Sequence, residues 1–271
     1  GDYIETLKAL KKRKQESRNI LDSYSRIVEQ DKLNDVLFTR NQILYGPAGT
    51  GKTYNTINEA LSIVYKIQKD TLKEIIQKEL ESRKIPISNE KIREEMNQRF
   101  NEYLKSTDKQ IAQIGFVTFH QSYGYEDFVE GIKVKEVNGQ LKYPVEAGVF
   151  KRFCKSAKDN PTENYVLIID EISMLHAKQL NLVNQVLKYF KDSDDAFGGI
   201  QVIVAGDFFQ LPPVGKNDER NRDKFCFMSD AWVEAKFRVC YLTEQHRQDD
   251  EILNQILNAI RAQRMDTTHI T

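Results

Sequence analysis

The octapeptide at residues 46–53, Gly-Pro-Ala-Gly-Thr-Gly-Lys-Thr, constrains this chain more than any other stretch. It follows a short apolar run, Gln42-Ile43-Leu44-Tyr45, and leads into an amphipathic segment over residues 54–66. Strand, glycine-rich loop and helix in that order are the setting that a phosphate-binding loop of the pattern G-x-x-x-x-G-K-[ST] requires. The glycines let backbone N–H groups wrap an anion at a helix N-terminus, where the helix dipole also favours negative charge. Gly46, Pro47, Ala48, Gly49, Thr50, Gly51, Lys52, Thr53 and Tyr54 are therefore the expected nucleotide-binding residues. Lys52 is expected to reach the β and γ phosphates, and Thr53 to offer its hydroxyl to Mg²⁺.

Three further apolar runs, GFVTF at 115–119, YVLII at 165–169 and IQVIVA at 200–205, lack polar alternation, as strands do when both faces of a parallel sheet are covered. Two of them end in chemistry. Asp170 and Glu171 follow YVLII directly; an aspartate there can hold Mg²⁺ through water, and the glutamate can orient and deprotonate an attacking water. Capping of a following helix by Asp170 or Ser173 is compatible with that role. Asp207 and Gln210 follow the last run in a turn closed by Pro212-Pro213, just past a strand's carboxyl end, where open α/β sheets place ligands. Leu175, Leu180, Val183, Val186, Leu187 and Phe190 mark a helix between these two strands.

Residues 67–113 are charged, free of glycine and sparsely apolar, which predicts a helical insertion, broken at Ile85-Pro86-Ile87 and standing as an excursion from the sheet. Residues 1–40 read as an N-terminal helical segment, 41–248 as the nucleotide-binding core, and 249–271 as a C-terminal helix. The cluster Lys11-Lys12-Arg13-Lys14 reads as a solvated helix face before a phosphate contact. Forty Lys and Arg against forty Asp and Glu give no net charge, so any nucleic-acid contact has to come from a local patch. Cys154, Cys226 and Cys240 are widely spaced and odd in number, which argues against disulfides or zinc and for a reducing compartment. With no signal-peptide core and no run near the ~20 apolar residues of a membrane span, the expectation is a soluble protein of the cytoplasm or nucleoid, without membrane contact.

The C-terminal half resembles the first motor domain of superfamily-one DNA helicases of the Pif and RecD type. DEISML at 170–175, FGGIQVIVAGDFFQLPPV at 197–214, FMSDAW at 227–232, LTEQHRQ at 242–248 and LNAIR at 257–261 fall in that family's order and approximate spacing. The resemblance implies a RecA-like α/β P-loop NTPase: a parallel sheet with helices on both faces, interrupted here by the helical insertion. It implies that Asp207 and Gln210 sense the γ phosphate and link it to the grip on single-stranded DNA. It also implies that Arg247 contacts the γ phosphate, with Lys52, Glu171 and Gln210 completing the catalytic set and Thr53 and Asp170 the metal ligands. ATP with Mg²⁺ would be the nucleotide and single-stranded DNA the partner. A second motor domain would begin beyond the present chain, and unwinding would need it.

The N-terminal half resembles a different family. ILYGPAGTGKTY at 43–54, FVTFHQSYGYEDFVEG at 116–131 and GVFK at 148–151 are similar to the McrB-type AAA+ motors of restriction systems, which use GTP and oligomerise. The asparagine-arginine segment expected after the McrB acidic pair is replaced by ISMLHAKQ, so the chain reads as a mosaic joined near Glu171. Gln42 lies too close to its strand to serve as an adenine-reading glutamine. The DNA-contacting threonine segment of the helicases has only Thr118, His120, Gln121 and Ser122 in a comparable place, beside Tyr123. The leading expectation is an ATP-dependent DNA helicase motor with a role in DNA repair; the alternatives are a McrB-like GTPase motor driving a nuclease, or a non-catalytic nucleotide-binding fragment.

Overall fold

A computed structural model describes residues 41–105, 111–120, 123, 125–137, 139–215 and 219–243. The expected N-terminal helix at 1–40, the C-terminal helix at 249–271, Arg247, Gln121 and Ser122 lie outside the described residues.

Five strands form one parallel sheet: β1 (Gln42–Tyr45), β2 (Ile114–Thr118), β7 (Val166–Asp170), β8 (Gln201–Gly206) and β9 (Arg238–Tyr241), in the spatial order β2-β7-β8-β1-β9. Parallel pairing puts all five carboxyl ends along one edge. The register sets Thr118 beside Asp170 and Tyr45 between Gly206 and Tyr241. The strand read as 165–169 runs one residue later and takes in Asp170, because pairing with Thr118 and a bond from the Phe119 N–H to the Asp170 carbonyl continue the ladder.

Successive residues of each strand serve opposite cores, as the two-residue period of a pleated strand demands. Leu167, Ile169, Val202 and Val204 pack with Phe150, Phe153, Cys154 and Ala157 of helix α5 (Val149–Asp159) and with Leu180, Val183 and Leu187 of helix α6 (Ala177–Lys191). Val166, Ile168, Ile203 and Ala205 pack instead against Ala60, Leu61, Ile63 and Val64 of helix α1 (Lys52–Tyr65). Each fully buried aliphatic side chain contributes about 1.5–3 kcal/mol of burial. The sheet is thus covered on both faces, as the unbroken apolar runs imply. The α6 start is set by a capping box: the His176 ring accepts from the Lys178 N–H while the Gln179 side chain accepts from the His176 N–H.

The insertion is no excursion from the sheet. Helix α2 (Lys69–Ser82) and helix α3 (Asn89–Leu104), separated by the expected break, bury Leu72, Ile75, Ile76 and Leu80 and Ile92, Met96 and Phe100 in the same core as α1 and the strands. Part of its charge lies inside. Glu79, Glu95 and Arg99 are 5–7% exposed; Arg99 bonds both carboxylates, and Arg83 bonds Glu95 at 2.9 Å. Charges so placed are tolerated because each finds an opposite partner.

A feature that the sequence does not announce joins β2 to β7. After the short helix α4 (Tyr125–Phe128), strands β3 (Glu130–Ile132) and β6 (Val145–Ala147) pair antiparallel, and β4 (Lys135–Val137) pairs with β5 (Gln140–Lys142) farther out. This two-stranded arm carries Leu141, Tyr143 and Val145 at alternate positions, with Ile132 paired to Val145; all four are more than 60% exposed. Two further short helices, α7 (Asn221–Lys224) and α8 (Asp230–Ala235), lead into β9.

Candidate nucleotide site

The phosphate loop spans the gap between β1 and α1 at the carboxyl edge of the sheet. Its geometry follows from its glycines: Gly49 and Gly51 hold φ of 84° and 72°, the left-handed region that only glycine enters without strain. At Gly46 a Cβ would come within 2.3 Å of the Leu242 carbonyl oxygen, so close backbone approach excludes any larger residue. Gly51 is the N-cap of α1 and supplies no capping side chain, which leaves the first amides of α1 to the loop and its ligand. Thr50 donates its hydroxyl to the Pro47 carbonyl at 2.9 Å and stiffens the loop. The Lys52 ammonium sits at the loop mouth, donating to the carbonyls of Gly46 and Pro47 at 2.8 and 2.7 Å.

The acids arrive from the neighbouring strand β7. Asp170 is 8% exposed and its Oδ2 lies 3.5 Å from the Thr53 hydroxyl oxygen. Burial raises its pKa, opposed by the Glu171 N–H, the Lys52 charge and the Thr53 hydroxyl. Glu171 stands in the left-handed region at φ 54° and ψ 47°, a conformation that costs a non-glycine residue about 1–2 kcal/mol. Its N–H donates to Asp170 Oδ1 at 3.0 Å, and its carbonyl accepts from Met174 at 3.0 Å. Strain of this kind persists where surroundings enforce it, and functional sites are where it collects. The end of β8 packs closely against the same turn: a Cβ on Gly206 would meet the Ile172 Cγ2 at 2.9 Å and its N at 3.0 Å. Burial also raises the Glu171 pKa, followed by the charges of Asp170 and Asp207, against the pull of Lys52. One Glu171 carboxylate oxygen, Oε2, is buried with no hydrogen-bond partner.

Asp207 and Gln210 come from the turn after β8. Asp207 is 1% exposed; its carboxylate accepts from the Phe209 N–H at 3.1 Å and from the Gln210 amide at 3.4 Å. That short Asx turn explains how the segment GDFFQ leaves the strand and presents the Gln210 side chain. Phe208 anchors the turn, with its ring against Tyr45, Phe225, Phe227 and Trp232.

A cavity of about 860 Å³ joins these parts: Ala48 to Asn55 of the loop and α1, the acids Asp170 and Glu171, and Gln210 all line it. Lys52, Thr53, Asp170, Glu171 and Gln210 are thus brought to one place, and Tyr54, 48% exposed as a residue, lines it too. Tyr241, Leu242 and Thr243 also line the cavity, and no local pattern in the sequence singles them out as ligands. Their signal is topological: β9 pairs with β1, so its carboxyl end must lie beside the loop. Arg93 of α3 is not among the lining residues but backs one of them, Tyr54. Its guanidinium lies 3.8 Å from the centre of the Tyr54 ring, and nothing in a charge-rich stretch distinguishes it.

Thr118 and His120, the candidate DNA-contact residues, stand at the edge of β2. His120 and Tyr123 line a second cavity of about 360 Å³ with Lys133 and Arg152, and the Tyr123 ring also packs on Phe119 at 5.2 Å. Cys154 and Cys226 are buried free thiols, and burial pushes both up to about 12. Among the described residues no group of three or more metal-ligating side chains forms a separate metal cluster, and no helix is long and apolar enough to cross a membrane.

Residues 152–264 match the family model of the PIF1-like helicases. Over 237 residues the chain is 43% identical to the ATP-dependent DNA helicase Pif1 of Psychrobacter sp. (strain PRwf-1), a match covering 84% of this chain and 29% of that protein. It is 51% identical over 96 residues to the ATP-dependent DNA helicase RRM3 of Saccharomyces cerevisiae, covering 35% of this chain and 13% of that protein. Among solved structures, the Pif1 helicase from Candida albicans matches with a TM-score of 0.47 and 26% identity, covering 88% of this chain and 44% of that one. The chain therefore spans less than a third of the length of these two curated relatives. With 84% of the chain aligned, the Psychrobacter match reaches across both sides of the junction placed near Glu171, so a single relative carries both halves.

Proposed function

We propose that this chain, whose residues 152–264 belong to a Pif1-type helicase domain of superfamily one, is the first motor domain of an ATP-dependent DNA helicase. The observation that carries the reading is the convergence of Lys52, Thr53, Asp170, Glu171 and Gln210 on one cavity at the carboxyl edge of a parallel sheet. The curated relatives are named ATP-dependent DNA helicases, which supports ATP as the nucleotide and DNA as the partner.

The loop amides and the α1 N-terminus would cradle the phosphates, and Lys52 would exchange its loop carbonyls for phosphate oxygens. Thr53 and Asp170, two oxygen ligands 3.5 Å apart beside the loop, would hold a Mg²⁺ ion, which would supply charge neutralisation to the bound phosphates. Glu171, which lines the cavity with one buried, unpartnered carboxylate oxygen, would orient a water and take its proton. Burial helps by making its carboxylate more basic than an exposed glutamate. Gln210, steadied by Asp207, would report the γ phosphate to the turn that follows β8. Single-stranded DNA is the proposed second ligand and a second motor domain the proposed neighbour, with Arg247 as a γ-phosphate contact.

The test is a titration of ATP against GTP with Mg²⁺, repeated with a single-stranded oligonucleotide. ATP preference together with a shift in its affinity on adding the oligonucleotide is expected. GTP preference with indifference to DNA would overturn the helicase reading in favour of a McrB-like motor.

A further inference from the structure

Phosphates fixed at the loop oblige the rest of a nucleotide to leave along the cavity wall, and that wall offers few apolar surfaces. One is the ring of Tyr54, the first residue after the phosphate-loop threonine and half exposed at the rim. The ring is also covered on one face. Arg93 of α3 lies over it at 3.8 Å, and the same guanidinium donates to the Tyr54 carbonyl at 3.2 Å and to Asn58 Oδ1 at 3.0 Å. Arg93 is thereby tied to α1 at two points one turn apart, and the ring is pressed from one side by a planar cation. Asn58 is itself 5% exposed, so the anchor is rigid.

We propose that Tyr54, backed by Arg93, is the platform on which the nucleobase stacks, so that the insertion helix α3 supports one wall of the nucleotide site from behind. The inference rests on the nucleotide-binding reading given above and adds to it the place of the base. An aromatic face with a guanidinium behind it takes a flat π-system on its open side, in a three-layer stack of cation, phenol and base. Stacking accepts every base, because each has a π-face. Tyr54 therefore contributes affinity without choosing between adenine and guanine, and base selection falls to other residues. The insertion also acquires a role beyond packing: it pre-sets the ring before nucleotide arrives, which reduces the ordering cost of binding.

The test compares ATP, GTP and inorganic tripolyphosphate, each with Mg²⁺, by calorimetric titration of the 271-residue chain and of three variants. Tyr54→Ala is expected to weaken ATP and GTP alike by about 10-fold and to leave tripolyphosphate affinity where it was. Tyr54→Phe should restore both nucleotides, since a phenyl face stacks as a phenol does. Arg93→Ala should show a smaller loss, about 3-fold, again confined to ligands that carry a base. An unchanged ratio of ATP to tripolyphosphate affinity in Tyr54→Ala would overturn the platform while leaving the phosphate site intact. Failure of the unaltered chain to bind tripolyphosphate would instead overturn the nucleotide-site reading itself.

Discussion

The side chains of Thr53 and Asp170 meet at 3.5 Å although 117 residues separate them in the chain. The first belongs to the helix after β1 and the second to the end of β7, two strands away across β8. A shared carboxyl edge is what lets a loop and an acid so distant in sequence form one site.

Replacing Glu171 with Gln should leave nucleotide affinity unchanged and lower turnover by about 10²–10⁴-fold. The same change should stabilise the fold, and the sign follows from burial. Glu171 has a folded pKa above its ordinary 4.5, so the folded state holds the proton more tightly than the unfolded chain does. Its ionised form thus opposes folding above the folded pKa, and the penalty vanishes as pH falls through that value towards 4.5. Thermal melts of Glu171→Gln should lie above those of the unaltered protein at pH 7–8 and converge with them on acidification; an equal or lower melting temperature at pH 8 would contradict this.

Asp207 is one of the charges that raise the Glu171 pKa. Asp207→Asn should therefore move the acidic limb of the kcat/KM profile to lower pH, whatever it does to the maximal rate through Gln210. A limb that stays in place would show that the two carboxylates do not communicate, or that Glu171 does not set the profile.

Gly206→Ala adds a methyl group against Ile172 at 2.9 Å, in the turn that carries Glu171. Turnover is expected to slow by up to about 10²-fold, which is what a displacement near 1 Å can cost a positioned group, with nucleotide affinity kept. Equal losses in binding and turnover would mean that the whole edge had shifted.

Arg99→Leu would take from Glu79 and Glu95 the buried cation that they share, leaving Arg83 on Glu95. Breaking a buried pair from one side costs about 3–5 kcal/mol. Chemical denaturation should show that loss at neutral pH; an unchanged midpoint would contradict it.

Much of the site is legible in the sequence because its chemistry is written into local patterns. A glycine-rich loop between an apolar run and an amphipathic one can be little else, and Asp170-Glu171 after YVLII announces a strand ending in acids. Glu79, Glu95 and Arg99 are illegible for a physical reason: charge reads as a surface property, and only folding shows that each meets an opposite charge inside. The arm at residues 130–147 is hidden because its strands are three residues long and its apolar side chains remain exposed, so no burial pattern betrays it. The left-handed backbone of Glu171 leaves no sequence mark, since the close neighbour of its turn, Gly206 at the end of β8, lies 35 residues onward. Arg93 reaches Tyr54 from 39 positions away, beyond the span of any local motif.

The central place of β1 has a consequence for how the chain is made. Gln42–Tyr45 are paired on one side by β8, ending at Gly206, and on the other by β9, beginning at Arg238. During synthesis at ~5–20 residues per second, the phosphate-loop strand thus waits roughly 10–30 s for its first neighbour. Among the described elements, α1 and the insertion helices are made first and cover the side of the sheet that Leu44 faces, whereas the helices of the core that holds Ile43, α5 and α6, follow only later in that interval. The nascent chain is most vulnerable to wrong strand pairing then, and a ribosome-bound intermediate stalled between α3 and β8 is where a chaperone would have the most to hold.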